Sequence, residues 1–226
     1  MTTLRAAGAQ IQGRRMRQED AWRLDPLGNG EILAIVADGL GGHPAGDTAS
    51  REAVAELARV FLEGRALGSG TPRDWLKDGV LGADRHVRTL ARTRPELYGM
   101  ATTLVALFVR DREFWAASVG DSYLLLRRRE ELIVLNELHS EGGGVTSCVG
   151  YNLSRVDLAD GLLVEPGDRF VLASDGITTL DAEEIGALTG KAADPDAAAG
   201  ALLAAIEESA LPHQDNVTIV AVFADA

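Results

Sequence analysis

With 226 residues, 46% of them hydrophobic, the chain is long enough to bury one large core, and no linker divides it. Its net charge of −12 disfavours nucleic acid and anionic membrane as partners, and no apolar run is long enough to span a bilayer. A single cysteine, Cys148, excludes an intrachain disulfide framework and, with no signal-peptide core in Met1 to Gln10, sets the expectation of a cytoplasmic protein.

Short apolar or alternating runs bounded by turn residues predict strands over Arg5 to Gln12, Ala21 to Leu24 and Glu31 to Ala37. Two helical patterns follow. Ala49, Ala53, Val54, Leu57, Val60 and Phe61 share one face of a helix predicted over Thr48 to Glu63, with Asp47 as its N-cap. Trp75, Leu76, Val80, Ala83, Val87 and Leu90 do the same over Pro72 to Arg92, and the glycine-bearing stretch Glu63 to Thr71 joins the two helices.

Gly99 to Thr103 is expected to lead into a close-packed strand with buried, hydrogen-bonded threonines. Further strands are predicted over Thr102 to Arg110, Glu113 to Val119, Ser122 to Arg128, Glu131 to Leu135, Arg155 to Leu158 and Asp168 to Ser174. Tight turns at Arg110-Asp111-Arg112 and Arg128-Arg129-Glu130 make antiparallel hairpins of them. Asp181 with Glu184 forms a capping box for a short helix through Leu188, Asp194-Pro195 opens a longer one through Ser209, and Val217 to Phe223 is the last strand. The order reads as an α+β protein with a large antiparallel component, in a single domain over residues 1–226.

Four aspartates far apart in sequence sit where these strands meet loops. Asp38 closes the run Ile32 to Ala37, Asp175 closes Phe170 to Ser174, Asp215 precedes Asn216 and the last strand, and Asp20 precedes the second strand. Carboxylates gathered at one end of a sheet repel one another. Hard divalent cations such as Mg²⁺ and Mn²⁺ relieve that repulsion, since they favour oxygen ligands. Two such ions about 3.5–4 Å apart can activate a shared water and stabilise charge on a phosphoryl group. Asp38 is the choice for the bridging carboxylate, and Gly39, which has no side chain, leaves its own carbonyl able to approach a metal as a further ligand.

Six motifs occur in a telling order: Gly13 to Asp20 (GRRMRQED), Asp38 to His43 (DGLGGH), Gly99 to Thr103 (GMATT), Val119 to Ser122 (VGDS), Ala173 to Gly176 (ASDG) and Gln214 to Thr218 (QDNVT). In this order, and over nearly the whole chain, the sequence resembles the metal-dependent Ser/Thr protein phosphatases of the PP2C-like (PPM) family. The resemblance implies a four-layer αββα sandwich of two mainly antiparallel sheets flanked by helices. It implies two Mn²⁺ or Mg²⁺ ions, one held by Asp38, Asp175 and Asp215, the other by Asp38, the Gly39 carbonyl and the acidic pair Glu19-Asp20. Which of Glu19 and Asp20 coordinates directly is left open by the sequence.

Asp121 matches a position tied to a third, weaker metal, which a Gly-Asp turn would explain almost as well. Arg15 matches an arginine that clamps substrate phosphate, while Arg14 and Arg17, as strand neighbours pointing the other way, are expected in solvent. His43 is the candidate general acid toward the leaving alkoxide. His213 is given no catalytic role, and Cys148 is expected to be a small buried thiol. The implied substrate is a phosphorylated protein, a Ser/Thr kinase or its target in bacterial signalling, acted on by a monomer.

The chain departs from the family after Asp121. Members usually carry a mobile helical flap there, whereas Leu135 to Glu141 passes directly through Gly142-Gly143-Gly144 to Val145. A shortened, flexible flap and an open site are the expectation. Two other functions compete with a phosphatase: a catalytically silent phosphoprotein-binding regulatory module of the same fold, and a metal-dependent phosphodiesterase or nuclease. Retention of every candidate carboxylate argues against the first. The acidic balance and the lack of a basic stripe argue against the second.

Overall fold

The strand Ile32–Asp38 (β3) is buried on both faces. Ile32, Ala34 and Val36 point into one apolar cluster and Leu33, Ile35 and Ala37 into another, as period-two alternation requires. Its sequence is therefore a continuous apolar run, and the strand belongs to an inner layer.

The computed structural model describes residues 3–40 and 45–225. Before β3 come β1 (Thr3–Ile11) and β2 (Asp20–Pro26); after it come α1 (Gly46–Leu67) and α2 (Pro72–Thr93). The middle of the chain holds β4 (Leu104–Arg110), β5 (Glu113–Val119), β6 (Tyr123–Arg128), β7 (Glu131–Val134), β8 (Ser140–Glu141), β9 (Gly144–Val145), β10 (Asp157–Leu163) and β11 (Arg169–Ala173). α3 (Ala182–Lys191), α4 (Pro195–Glu208) and β12 (Val217–Asp225) complete it.

One five-stranded sheet has the order β1-β12-β11-β6-β7 and the other β10-β5-β4-β3-β2, with every pairing antiparallel. Between them lie Val36, Leu107, Phe114, Phe170, Leu172 and Val222. α1 and α2 cover the outer face of the second sheet through Leu57, Phe61, Trp75 and Val80. α3 and α4 cover the first through Ile185, Leu202 and Ile206. The expected four-layer αββα sandwich is thus the observed one.

The helix signals behave as their chemistry predicts, with one exception. The Asp181–Glu184 box and the Asp194 side chain, which accepts from Ala197 N at 2.8 Å, start α3 and α4. Asp47, however, is not an N-cap. α1 begins two residues earlier than predicted, at Gly46, after Ala45 in a left-handed conformation (φ 56°), and Asp47 sits in the first turn paired with Arg51 Nη1 at 3.2 Å. Backbone contact sets that start: a Cβ on Gly39 would lie 2.3 Å from Gly46 O, so only glycine lets the end of β3 touch the helix.

α1 also outruns its expected end, because Gly64 packs under Trp75, where a Cβ would be 2.7 Å from Cδ1. The connection to α2 shrinks accordingly to residues 68–71. β10 is longer than the predicted Arg155 to Leu158, continuing through a bulge between Ala159 and Leu162 that the positive φ of Gly161 permits. The triple glycine is not a loose segment. It forms a two-residue hairpin, β8-β9, with Gly142 (φ 59°) and Gly143 (φ 82°) at the turn. No helix among the described residues is long and apolar enough to cross a membrane.

Candidate metal centre

β2 and β3 bring the first two carboxylates together, since Asp20 stands directly opposite Asp38 in their register. Beyond Asp38 the chain is pinned on three sides. Thr103 Oγ1 accepts from Asp38 N at 3.0 Å, Thr103 N donates to Asp38 O at 2.8 Å, and Thr102 Oγ1 donates to the same carbonyl at 2.8 Å. Both threonines are buried and bonded as the sequence led one to expect.

Asp175 and Asp215 arrive from the other sheet. Asp175 follows β11 at the head of a short 3₁₀ turn, and Asp215 precedes β12 with Oδ1 accepting from Asn216 N at 2.8 Å. Asp121 follows β5 in the Gly120 turn. Glu19, Asp38, Gly39, Asp121, Asp175 and Asp215 line one cleft of about 490 Å³, with Arg15 and Asn216 at its side. The sequence-predicted residues therefore do converge, with two qualifications. Asp20 lies behind the cleft, and His43 falls outside the described residues.

Asp20 is 6% exposed. Its Oδ2 accepts from Ser174 Oγ and Thr218 Oγ1, both at 2.8 Å, while Oδ1 is buried with no hydrogen-bond partner among the described residues. Burial pushes this carboxyl up to about 6 against the lowering effect of the two hydroxyls. Asp175 is also pushed up to about 6, by burial and then by Asp121 and Asp215. Asp38 stands well above the usual carboxylate range, first through burial and then through the negative charges of Asp20, Asp175, Asp215 and Asp121. Burial raises Glu19 and Asp121 as well.

Among the described residues, no three His, Cys, Asp or Glu side chains close into a ready cage. The carboxylates share the cleft lining, with Asp175 close enough to Asp38 for a side-chain hydrogen bond, and Arg15 Nη2 holds Asp215 Oδ2 at 2.5 Å. The donor set nevertheless suits a hard divalent cation: all oxygens, one orphaned buried carboxylate atom, and a backbone carbonyl on Gly39, where no Cβ would fit.

Arg15 reaches the cleft for a reason other than strand alternation. Residues 12–19 form a loop, not a strand, so Arg14 and Arg17 are exposed without being alternation partners of Arg15. Gly13, in a left-handed conformation (φ 61°), packs so closely on Asp215 that a Cβ would lie 2.2 Å from its carbonyl oxygen. Gln12 Nε2 then donates to Arg15 O at 2.8 Å and closes the turn.

Sequence reasoning missed the residues that hold this loop in place. Asn216 Oδ1 accepts from Glu19 N at 2.8 Å, and its Nδ2 donates to Gln12 O at 2.8 Å and Arg17 O at 3.0 Å. Ser174 and Thr218 fasten Asp20. The available signal was polarity in the wrong place: Asn216 and Thr218 alternate with Val217 and Ile219 yet are fully buried, so each must have a partner. The shortened flap still borders the cleft, since Gly143, Gly144 and Val145 of the hairpin are among its lining residues.

The protein phosphatase 2C family model matches residues 7–192. The serine/threonine phosphatase stp of Listeria welshimeri is 38% identical over 109 residues, covering 48% of this chain but only 43% of that relative, less than half its length. A putative protein phosphatase 2C-type protein of Streptococcus pyogenes is 30% identical over 174 residues, 67% of this chain and 69% of the relative. Among solved structures, PppA of Pseudomonas aeruginosa, described as a key regulatory component of its T6SS, is 31% identical with a TM-score of 0.81 over 98% of each chain. With six motifs in order, a sandwich that brings Glu19, Asp38, Asp121, Asp175 and Asp215 from five of them to one cleft and a family match over most of its length, the chain belongs to the protein phosphatase 2C family.

Proposed function

We propose that the chain is a metal-dependent protein phosphatase that hydrolyses phosphoserine and phosphothreonine, with one domain over residues 1–226 carrying the activity. The supporting observation is the convergence of Glu19, Asp38, Asp121, Asp175 and Asp215 on one cleft beside the Arg15 guanidinium. When bound, two Mn²⁺ or Mg²⁺ ions supply Lewis acidity toward phosphoryl oxygens and a water acidic enough to attack at neutral pH.

In this reading Asp38 would be shared between the two ions, Asp175 and Asp215 would help hold one, and Glu19 with the Gly39 carbonyl would help hold the other. Glu19 is favoured over Asp20 for the cleft-facing role because Asp20 has one oxygen committed to two hydroxyls behind it. Asp121 serves a third, weaker position. Arg15 offers a planar fork to the phosphate oxygens and is aligned by Asp215. His43 keeps the general-acid role.

The partner is a phosphorylated protein, a Ser/Thr kinase or its target, acted on in the cytoplasm by a monomer, with no nucleic acid or membrane involved. The catalytically silent alternative has nothing in its favour, since such a module has no use for this many repelling carboxylates. The test is a metal-by-metal assay of p-nitrophenyl phosphate and a phosphothreonine peptide, with a nucleic-acid control. Turnover of both phosphate esters that depends on Mn²⁺ or Mg²⁺ is expected; no turnover with any divalent ion overturns the reading.

A further inference from the structure

His139 is 4% exposed, lies outside the metal-binding motifs, and has both ring nitrogens engaged. Gly120 N donates to Nδ1 at 3.2 Å. A backbone N–H can only donate, so Nδ1 carries the lone pair and the ring proton sits on Nε2, which donates to Asp157 Oδ2 at 3.1 Å. Arg155 Nε donates to Asp157 Oδ1 at 3.0 Å and orients that carboxylate. The imidazole thus spans from the turn that carries Asp121 to the first residue of β10.

Its backbone makes two more connections. His139 N donates to Gly120 O at 2.8 Å, and His139 O accepts from Thr146 N at 2.8 Å, closing the base of the β8-β9 hairpin. Asn136 reinforces the junction, accepting from Leu124 N at 2.8 Å and donating to Ser122 O at 3.0 Å. On the far side, Gly120 packs on Thr103, where a Cβ would lie 2.7 Å from Cγ2, and Thr103 pins Asp38. One residue therefore joins the hairpin wall of the cleft to the turn bearing Asp121: its backbone carries the hairpin link, and its side chain ties the turn to β10 and so sets where that backbone sits.

We infer that His139 is a positioning residue that fixes the Gly143–Val145 wall against the Gly120–Asp121 turn, and so governs how the cleft accepts an extended phosphoprotein segment. This rests on the phosphatase reading. A small aryl phosphate needs only the carboxylate centre and Arg15, whereas a peptide running out of the cleft must also meet the wall. Loss of the His139 linkage should raise KM for the peptide and leave turnover of the aryl ester nearly intact.

The experiment compares His139→Asn, His139→Gln and Asp157→Asn with the unaltered chain, on p-nitrophenyl phosphate and a phosphothreonine peptide at saturating Mn²⁺. Asn places an acceptor near the Nδ1 position and can keep the Gly120 contact; Gln reaches only toward Asp157. His139→Gln should raise the peptide KM roughly fivefold or more with kcat on the aryl ester within about twofold, and His139→Asn should recover most of that KM. Asp157→Asn should give a smaller rise in the same direction. Equal damage on both substrates, no change on either, or rescue by Gln as complete as by Asn overturns the inference. If the unaltered chain turns over neither substrate, the phosphatase reading itself has failed, a result distinct from these. Should His139→Gln not fold, the Asn and Asp157 variants decide by the same KM-against-kcat split.

Discussion

Arg15 Nη2 and Asp215 Oδ2 meet at 2.5 Å, so the cleft's guanidinium is engaged by one of its own candidate metal ligands. The pair is partly exposed, with side-chain exposures of 51% and 35%, and its strength in isolation is modest. Its importance is competitive, because phosphate and carboxylate oxygens seek the same fork.

Arg15→Ala should separate the two roles. Removing the fork should raise KM for a phosphothreonine peptide by about tenfold or more, while freeing Asp215 leaves the Mn²⁺ concentration for half-maximal activity equal or lower. A higher Mn²⁺ requirement would show that Arg15 supports the metal site instead of competing with it.

Asp38→Ala and Asp175→Ala should each lower kcat/KM by roughly 10²–10³-fold or more and still yield folded protein. Both carboxyls are raised by burial and by neighbouring negative charge, so truncation removes a destabilising repulsion. Melting in chelator should accordingly show either variant at least as stable as the unaltered chain.

The same repulsion makes a pH prediction. Asp20 and Asp175 rise from 3.8 to about 6, so between those values the folded protein holds more protons than the unfolded chain. Stability therefore falls as pH rises through that window, and the loss is complete above about 6. For one such carboxyl the linkage is on the order of 3 kcal/mol, or several degrees of Tm. In chelator, the Tm of the unaltered chain should drop relative to Asp175→Ala between pH 4 and about 6, and Mn²⁺ at pH 7 should close the gap. A constant difference across that range would refute the assignment.

Asn216→Ala should destabilise the protein by about 1–3 kcal/mol, because a fully buried amide leaves Glu19 N, Gln12 O and Arg17 O without partners. It should also raise the peptide KM, since Arg15 and Glu19 ride on the loop it holds. Thermal melts and steady-state kinetics on one preparation measure both; an effect on melting alone would mean that the loop keeps its position without the amide.

Much of this was legible in the sequence because it is local. β3 declared itself by an apolar run buried on both faces, and Asp181 with Glu184 by a capping box whose partners are three residues apart. The family motifs fixed which carboxylates would meet. Illegible features depended on contacts between distant residues. The start of α1 hangs on Gly39 touching Gly46, so the sequence-local choice of Asp47 as cap failed. The approach of Arg15 hangs on Gly13 packing against Asp215, and the hairpin wall needed two successive left-handed glycines to be read as a turn and not as slack.

The stitch from Asp20 on β2 to Ser174 after β11 and Thr218 on β12 joins one sheet to the other with hydrogen bonds at the cleft end of an interface whose centre is apolar. Apolar contacts tolerate sliding, since one methyl serves nearly as well as the next, but a carboxylate oxygen shared by two hydroxyls has a single geometry. This end of the sandwich therefore works as a shear lock. Substitutions deep in the core can repack without moving the cleft so long as the lock holds, whereas Thr218→Val, harmless in volume, would let the sheets slip at the place where their alignment decides whether four aspartates face one another.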